Sequence, residues 1–312
     1  MFIQPVFKTA YLHPKYWPTW LALGFWRIFI LLPFPVLCFF GKGLGRLFYL
    51  VGRSRRRIVE TNLTLCFPEL SAEERRKLAI RNFENYGISV FELPLGWWAS
   101  ARRIGKLGVE VKGLEHIENL NGQGALLLSM HFVHVDPCAQ SLVTHGVSMD
   151  LMYRVHNNPV YEYVQSVGRM RRSPDSEIFS RKDVRGVAKS LKKGRLVWYA
   201  PDQDFGKIGT VFVPFFGVPA ATITATSKFA ALGNARVLPF FHYRRADCKG
   251  YNLEIFPPLT DFPSGDDKAD AERLNKLVES FVRRCPEQYL WAHRRFKTRP
   301  EGEPSLYRRH KE

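Results

Sequence analysis

Residues 124–136 read GALLLSMHFVHVD. Gly124 releases an unbroken apolar run, ALLLSM at 125–130, whose length suits a buried strand. Working outward, SMDLMYRV (148–155), RLVWYA (195–200), ARVLPFFHYR (235–244) and YNLEIF (251–256) read as further strands. Helical stretches stand between them: from about Pro159 to Arg169, 182–193 ended by Gly194, 221–233 with Gly233 as its stop, and 267–284. Upstream, Ser71 followed by Glu74 forms a capping-box pattern that opens a helix running toward Trp97 and Trp98. Strands separated by helices predict an α/β fold with a mostly parallel central sheet and flanking helices. In such sheets, sites gather at the carboxyl ends of strands. That directs attention to the residues after Met130, Tyr153 and Ala200.

After the first of these strands comes His131-Phe-Val-His134-Val-Asp136. A helix advances about 100° per residue, so residues five apart cannot share one regular helix face. His131 and Asp136 meet only if His131 closes the strand and Asp136 lies in the first turn of the next helix, where an acid also suits the helix N-terminus. A carboxylate bonded to one ring nitrogen fixes the tautomer and leaves the other nitrogen as a general base. Such a base removes an alcohol proton as the hydroxyl attacks a thioester carbonyl, with no Ser or Cys nucleophile required. The plainer alternative is a satisfied histidine and a helix-capping aspartate. His134 is open to a structural or a substrate-contacting role.

The second strand end carries Arg154, His156 and Asn157, and a basic cluster follows at Arg169, Arg171 and Arg172. A guanidinium offers a planar fork of donors to phosphate or carboxylate oxygens and can stabilise an oxyanion. Surface charge is the alternative for each. The third strand end carries Asp202 and Asp204, which suit polar substrate groups or neighbouring arginines better than a metal, since oxygen-ligand sites draw on more residues. The aromatic, turn-rich stretch 213–219 suits the wall of an acyl groove, or a core.

The chain has 312 residues and a formal net charge of +17, which calls for acidic partners. Its five cysteines are scattered, with no CxxC and no Cys/His metal spacing, which argues against a disulfide framework. Residues 17–40 are apolar and about long enough to cross a bilayer as a helix, although Arg27, Pro33 and Pro35 interrupt them. The basic run RSRRR at 53–57 follows, so the positive-inside rule places what comes next in the cytoplasm. The expected organisation is an N-terminal membrane-anchoring segment with a membrane helix (1–57) and a cytoplasmic catalytic domain (58–312). No helix-turn-helix, zinc-finger or RNA-binding signature is present, so nucleic acid is not an expected partner.

Longer stretches carry a resemblance: LHPKYWPTW (12–20), NLTLCFPE (62–69), YRVHNNP (153–159), GRMR (168–171), LKKGRLVWYAPDQDFG (191–206), PFFGVPAATITA (214–225) and PEQYLWAHRRFKTRPEG (286–302). With HxxxxD at 131–136, they are similar nearly end to end to the late acyltransferases of lipid A biosynthesis in Gram-negative bacteria, within the lysophospholipid acyltransferase-like superfamily. The resemblance implies an enzyme of the inner membrane facing the cytoplasm, with acyl carrier protein thioesters as donors and the Kdo-bearing tetra-acylated lipid A precursor as acceptor. It implies His131 as general base, Asp136 as its orienting partner, Arg154 as a substrate or oxyanion contact, and Asp202 in a motif that helps hold the acceptor. Asn157, Arg169 and Asp204 join them as substrate-binding candidates. No cofactor or metal is expected. Within the family the N-terminal motif and GRMR look more like enzymes adding the first secondary chain, typically lauroyl. The alternatives are a glycerophospholipid or glycolipid acyltransferase of the same superfamily and a membrane-tethered anionic-lipid-binding protein.

Overall fold

The computed structural model describes residues 5–307. The N-terminal part is helical: α1 (Trp17–Ile28), α2 (Phe34–Val51), α3 (Arg53–Cys66), α4 (Ala72–Trp98) and α5 (Ala101–Gly105). The order then runs β1 (Glu110–Lys112), α6 (Glu115–Glu118), β2 (Ala125–Leu128), α7 (Val135–Thr144), β3 (Met149–Tyr153), α8 (Pro159–Met170), β4 (Ile178–Ser180), α9 (Val184–Lys192) and β5 (Leu196–Tyr199). It closes with β6 (Thr210–Phe215), β7 (Val218–Ile223), α10 (Ala225–Gly233), β8 (Arg236–Arg244), β9 (Tyr251–Ile255) and α11 (Asp267–Arg284).

A seven-stranded sheet has the order β1-β9-β8-β2-β5-β3-β4 and is parallel except where β8 meets β9. The expected fold class is the observed one. Strand β2 lies at the centre, fully buried, because Ala125 to Leu128 carry no polar side chain for either face. One expectation needs correcting. The stretch 221–233 is not all helix, because its first residues finish β7, which pairs antiparallel with β6 across Phe216 and Gly217. Both turn residues have positive φ, 51° and 76°, as a two-residue hairpin turn with the right twist requires. Phe215 and Phe216 are buried in a core with Phe67, Tyr289 and Trp291, so 213–219 builds core rather than a groove wall.

The apolar N-terminal stretch is two helices, not one. Pro33 ends the first stretch, and Pro35 stands in the first turn of α2, where a missing N–H costs nothing. Helix α2 presses closely on α4. A Cβ on Gly87 would come within 2.0 Å of the Gly41 carbonyl oxygen, and one on Gly45 within 2.2 Å of the Phe83 carbonyl oxygen. The expected boundary at 57/58 falls inside α3. Phe34, Leu37 and Cys38 of α2 share a buried cluster with Leu127 of β2 and Leu238 of β8. The apolar segment is therefore built into the body of the fold. Its outer face stays uncovered: Leu21, Phe25, Leu31, Phe39, Leu50 and Val51 are each more than 60% exposed.

Candidate active site

Strands β2 and β5 are parallel neighbours in register, Leu128 opposite Tyr199. His131 and Asp202 each stand three residues beyond that last pair, so equal offsets bring them together. The Asp202 carboxylate accepts from the His131 backbone N–H at 2.9 Å and lies 2.6 Å from His131 Nδ1. Burial works to raise the Asp202 carboxyl, but the charge and both bonds of His131 outweigh it and hold it at about 2. A carboxyl held there is ionised and can only accept, so Nδ1 carries the hydrogen between them and Nε2 is left outside that contact. Nε2 has no hydrogen-bond partner among the described residues, and the His131 side chain is 27% exposed while that of Asp202 is 1% exposed. The result is an imidazole oriented through Nδ1 with Nε2 unengaged, the arrangement a general base needs.

The C-terminal segment fixes the loop that holds this histidine. Leu290 N–H donates to the His131 carbonyl at 2.9 Å, and Val133 N–H donates to the Gln288 carbonyl at 3.0 Å. The segment is itself tied down by two buried asparagines. Asn62 Nδ2 donates to the carbonyls of Trp291 and His293, and Asn82 Nδ2 to those of Glu287 and Tyr289. Arg295, 2% exposed, donates to the Ala221 carbonyl and Thr222 Oγ1. Asn62 thus ties the NLTLCFPE stretch to the PEQYLWAHRRFKTRPEG stretch. A narrow crevice beside the pair is lined by Asn62, His131, Asp202, Gln203, Tyr289 and His293 among others.

The expected contact between His131 and Asp136 is corrected by the structure. Asp136 does lie in the first turn of α7, but its carboxylate faces Arg169, which donates to it through Nε at 2.7 Å and Nη2 at 2.9 Å, and Trp97 Nε1 adds a third bond at 3.1 Å. Burial works to raise this carboxyl too, and the Arg169 charge prevails to hold it below its usual value. Gly168 makes the approach possible, since a Cβ there would come within 2.5 Å of Trp97 Cβ. The rest of the GRMR segment and Arg172 clamp the end of α4, through Arg171 to the Trp98 carbonyl and Arg172 to the Gly96 and Ala99 carbonyls.

A bacterial lipid A biosynthesis acyltransferase family model matches residues 4–298. The chain belongs to that family. This acyltransferase is 43% identical to the lipid A biosynthesis lauroyltransferase of Escherichia coli K12 over 97% of its own length and 99% of that chain. It is 40% identical to the palmitoleoyltransferase of the same organism, covering 98% of itself and 100% of the relative. It is 32% identical to the myristoyltransferase there, covering 98% and 94% respectively. A solved 1-acyl-sn-glycerophosphate acyltransferase from Thermotoga maritima is similar over 74% of this chain and 94% of that chain, with 14% identity and a TM-score of 0.36. Family membership makes the protein an acyltransferase with a lipid A-type acceptor.

The remaining expected site residues of the acyltransferase divide. Arg154 and Asn157 are exposed beyond β3, and Arg154 has no ion pair among the described residues. Arg169 is committed to Asp136 and stacks its guanidinium 4.8 Å from the Tyr153 ring centroid, so it braces rather than waits for substrate. Asp204 is turned inward, accepting from Thr298 N–H at 2.7 Å and Thr298 Oγ1 at 2.8 Å, and so anchors the C-terminal segment. His293, which the sequence reading missed, lines the crevice and accepts from the Asp204 N–H through Nε2 at 2.9 Å. The signal for the Asp202 contact lay in the matching offsets, legible only once β2 and β5 are known to be neighbours.

Proposed function

We propose that this acyltransferase transfers a fatty acyl chain, lauroyl in the first place, from an acyl carrier protein thioester to a hydroxyl of the Kdo-bearing tetra-acylated lipid A precursor. The observation that carries the reading is the His131 ring, bonded to Asp202 through Nδ1 and open at Nε2. Nε2 takes the proton of the acceptor hydroxyl as its oxygen attacks the thioester carbonyl. The imidazolium that forms is stabilised by the Asp202 carboxylate. The tetrahedral adduct collapses with loss of the carrier thiolate, which recovers the proton from His131. Asp202 is the orienting partner in this scheme, and Asp136 positions α7 and α8 through Arg169. Arg154 and Asn157, exposed at the same end of the sheet, meet the anionic groups of the acceptor.

Both partners are acidic, which suits a chain of formal net charge +17. The lauroyl donor is favoured by the likeness to the lauroyltransferase and by the expectation from the N-terminal and GRMR motifs. The uncovered apolar faces of α1 and α2 sit in the inner membrane, with the arginines at 53–57 on its cytoplasmic side. The test is transfer in detergent by the purified protein, given several acyl carrier protein thioesters and the Kdo-bearing precursor, with products weighed by mass spectrometry. One added lauroyl chain is expected, with the rate falling about 10²–10⁴-fold in His131→Ala. No product with any donor from a folded protein would overturn the reading.

A further inference from the structure

Next to the reaction centre lies a second group of chemistry-bearing side chains that acyl transfer does not use. His134 caps the N-terminus of α7 and Cys138 follows one turn later, and residues four apart on a helix are neighbours. His242 of β8 completes the group. A ligand-capable atom from each of the three lies within 4.8 Å of the other two, and each residue is 0% exposed.

The two imidazoles are oriented in a specific way. His134 Nε2 is 3.3 Å from the His242 carbonyl oxygen, and His242 Nε2 is 3.1 Å from Ser129 Oγ. Their Nδ1 nitrogens have no hydrogen-bond partner among the described residues. Leaving a buried nitrogen unsatisfied on each of two rings whose centroids are 5.0 Å apart is costly. Metal-ligating histidines show this pattern: one nitrogen engaged with a carbonyl or another polar group fixes the ring, and the other faces the ion. We infer that His134, Cys138 and His242 form a structural site for one zinc ion, held by the two Nδ1 nitrogens and the Cys138 sulfur.

The donor set suits the metal, since zinc takes imidazole nitrogen and thiolate sulfur together in tetrahedral sites, and three protein ligands leave the fourth position open. Bond lengths of about 2.0–2.1 Å to nitrogen and 2.3 Å to sulfur place tetrahedral ligand atoms roughly 3.3–3.6 Å apart. Ligand atoms at the 4.8 Å limit therefore draw together by roughly 1.2–1.5 Å on binding. Zinc binding replaces the Cys138 thiol hydrogen with a zinc–sulfur bond, and that proton goes to solvent. Glu92 and Arg244 lie beside Cys138 as a buried pair, 3.1 Å apart. Phe132, with its ring 6.0 Å from His134 and 5.7 Å from His242, encloses the site in apolar surface. The ion would tie α7 to β8 directly behind His131, outside the transfer reaction itself.

The test uses the full chain, free of any affinity tag, purified in detergent from cells grown with zinc or with cobalt in its place. About one zinc per chain is expected in the wild type, and a tenfold or greater loss in Cys138→Ser. The cobalt form is expected to show a thiolate-to-cobalt charge-transfer band, lost in Cys138→Ser and kept in Cys285→Ser. Wild-type protein that retains no zinc and shows no such band would overturn the site, and that result needs no variant to fold.

Discussion

Asp136 and Asp202 are two buried aspartates near the carboxyl end of the same sheet, and their partners separate them. Asp202 is bonded to a histidine whose second nitrogen is free, whereas Asp136 is bonded twice to an arginine and once to a tryptophan. Both carboxyls are held below their ordinary values against burial, so charge state does not distinguish them. The partner does. A guanidinium never gives up its proton at accessible pH, so a carboxylate beside it can only brace. An imidazole titrates near neutrality, so a carboxylate beside it can tune a base. Spacing in the sequence singles out Asp136, and strand adjacency singles out Asp202.

The largest expected effect on this contrast comes from breaking the brace. Asp136→Ala leaves Arg169 with an unpaired, largely buried charge and is expected to cost roughly 3–5 kcal/mol. Arg169→Met on the same background is expected to restore much of that loss, giving a coupling energy that chemical denaturation of the four proteins can read. A bracing pair shows strong coupling in stability. Additive losses would mean that the two side chains act separately.

A smaller effect is expected from Gly168→Ala, which pushes a methyl into Trp97 without touching either aspartate. Overpacking of this kind costs about 1–3 kcal/mol. A lowered Tm with the transfer rate of the folded protein largely kept would place Gly168 on the bracing side of the contrast.

A further effect concerns pH. Burial pushes His293, which accepts a bond from the Asp204 N–H, down to about 4. Below the ordinary histidine value near 6.5, the unfolded chain takes up a proton that the folded chain refuses. Stability from this group is therefore complete above about pH 6.5 and is lost as pH falls toward 4, at about 1 kcal/mol per pH unit. His293→Gln is expected to flatten that part of the Tm profile. An unchanged slope would mean that His293 is protonated in the folded enzyme.

Much of the fold was legible beforehand because its strands are short apolar runs between turn-forming residues, and ALLLSM, RLVWYA and YNLEIF each fell where expected. The hairpin of β6 and β7 was not, because Ala220 and Ala221 suit a helix as well as a strand until Phe216 and Gly217 take up their positive φ values. His131 could be picked out from its place after a buried strand. Its carboxylate could not, because two aspartates lay within plausible reach and sequence does not give strand order. Arg169 and Asp204 looked like substrate contacts because charge near a strand end is the usual sign of a site. Both are instead consumed internally, which only the packing of α8 and of the C-terminal segment decides.

The most direct test of the central claim compares Asp202→Asn with Asp136→Asn, measuring kcat for acyl transfer and Tm on the same preparations. The account predicts that Asp202→Asn lowers kcat about 10²–10³-fold with little change in Tm. It predicts that Asp136→Asn lowers Tm while the folded enzyme keeps kcat within about tenfold. A folded Asp136→Asn enzyme that has lost catalysis, beside an Asp202→Asn enzyme that keeps it, would contradict the account and return the orienting role to Asp136.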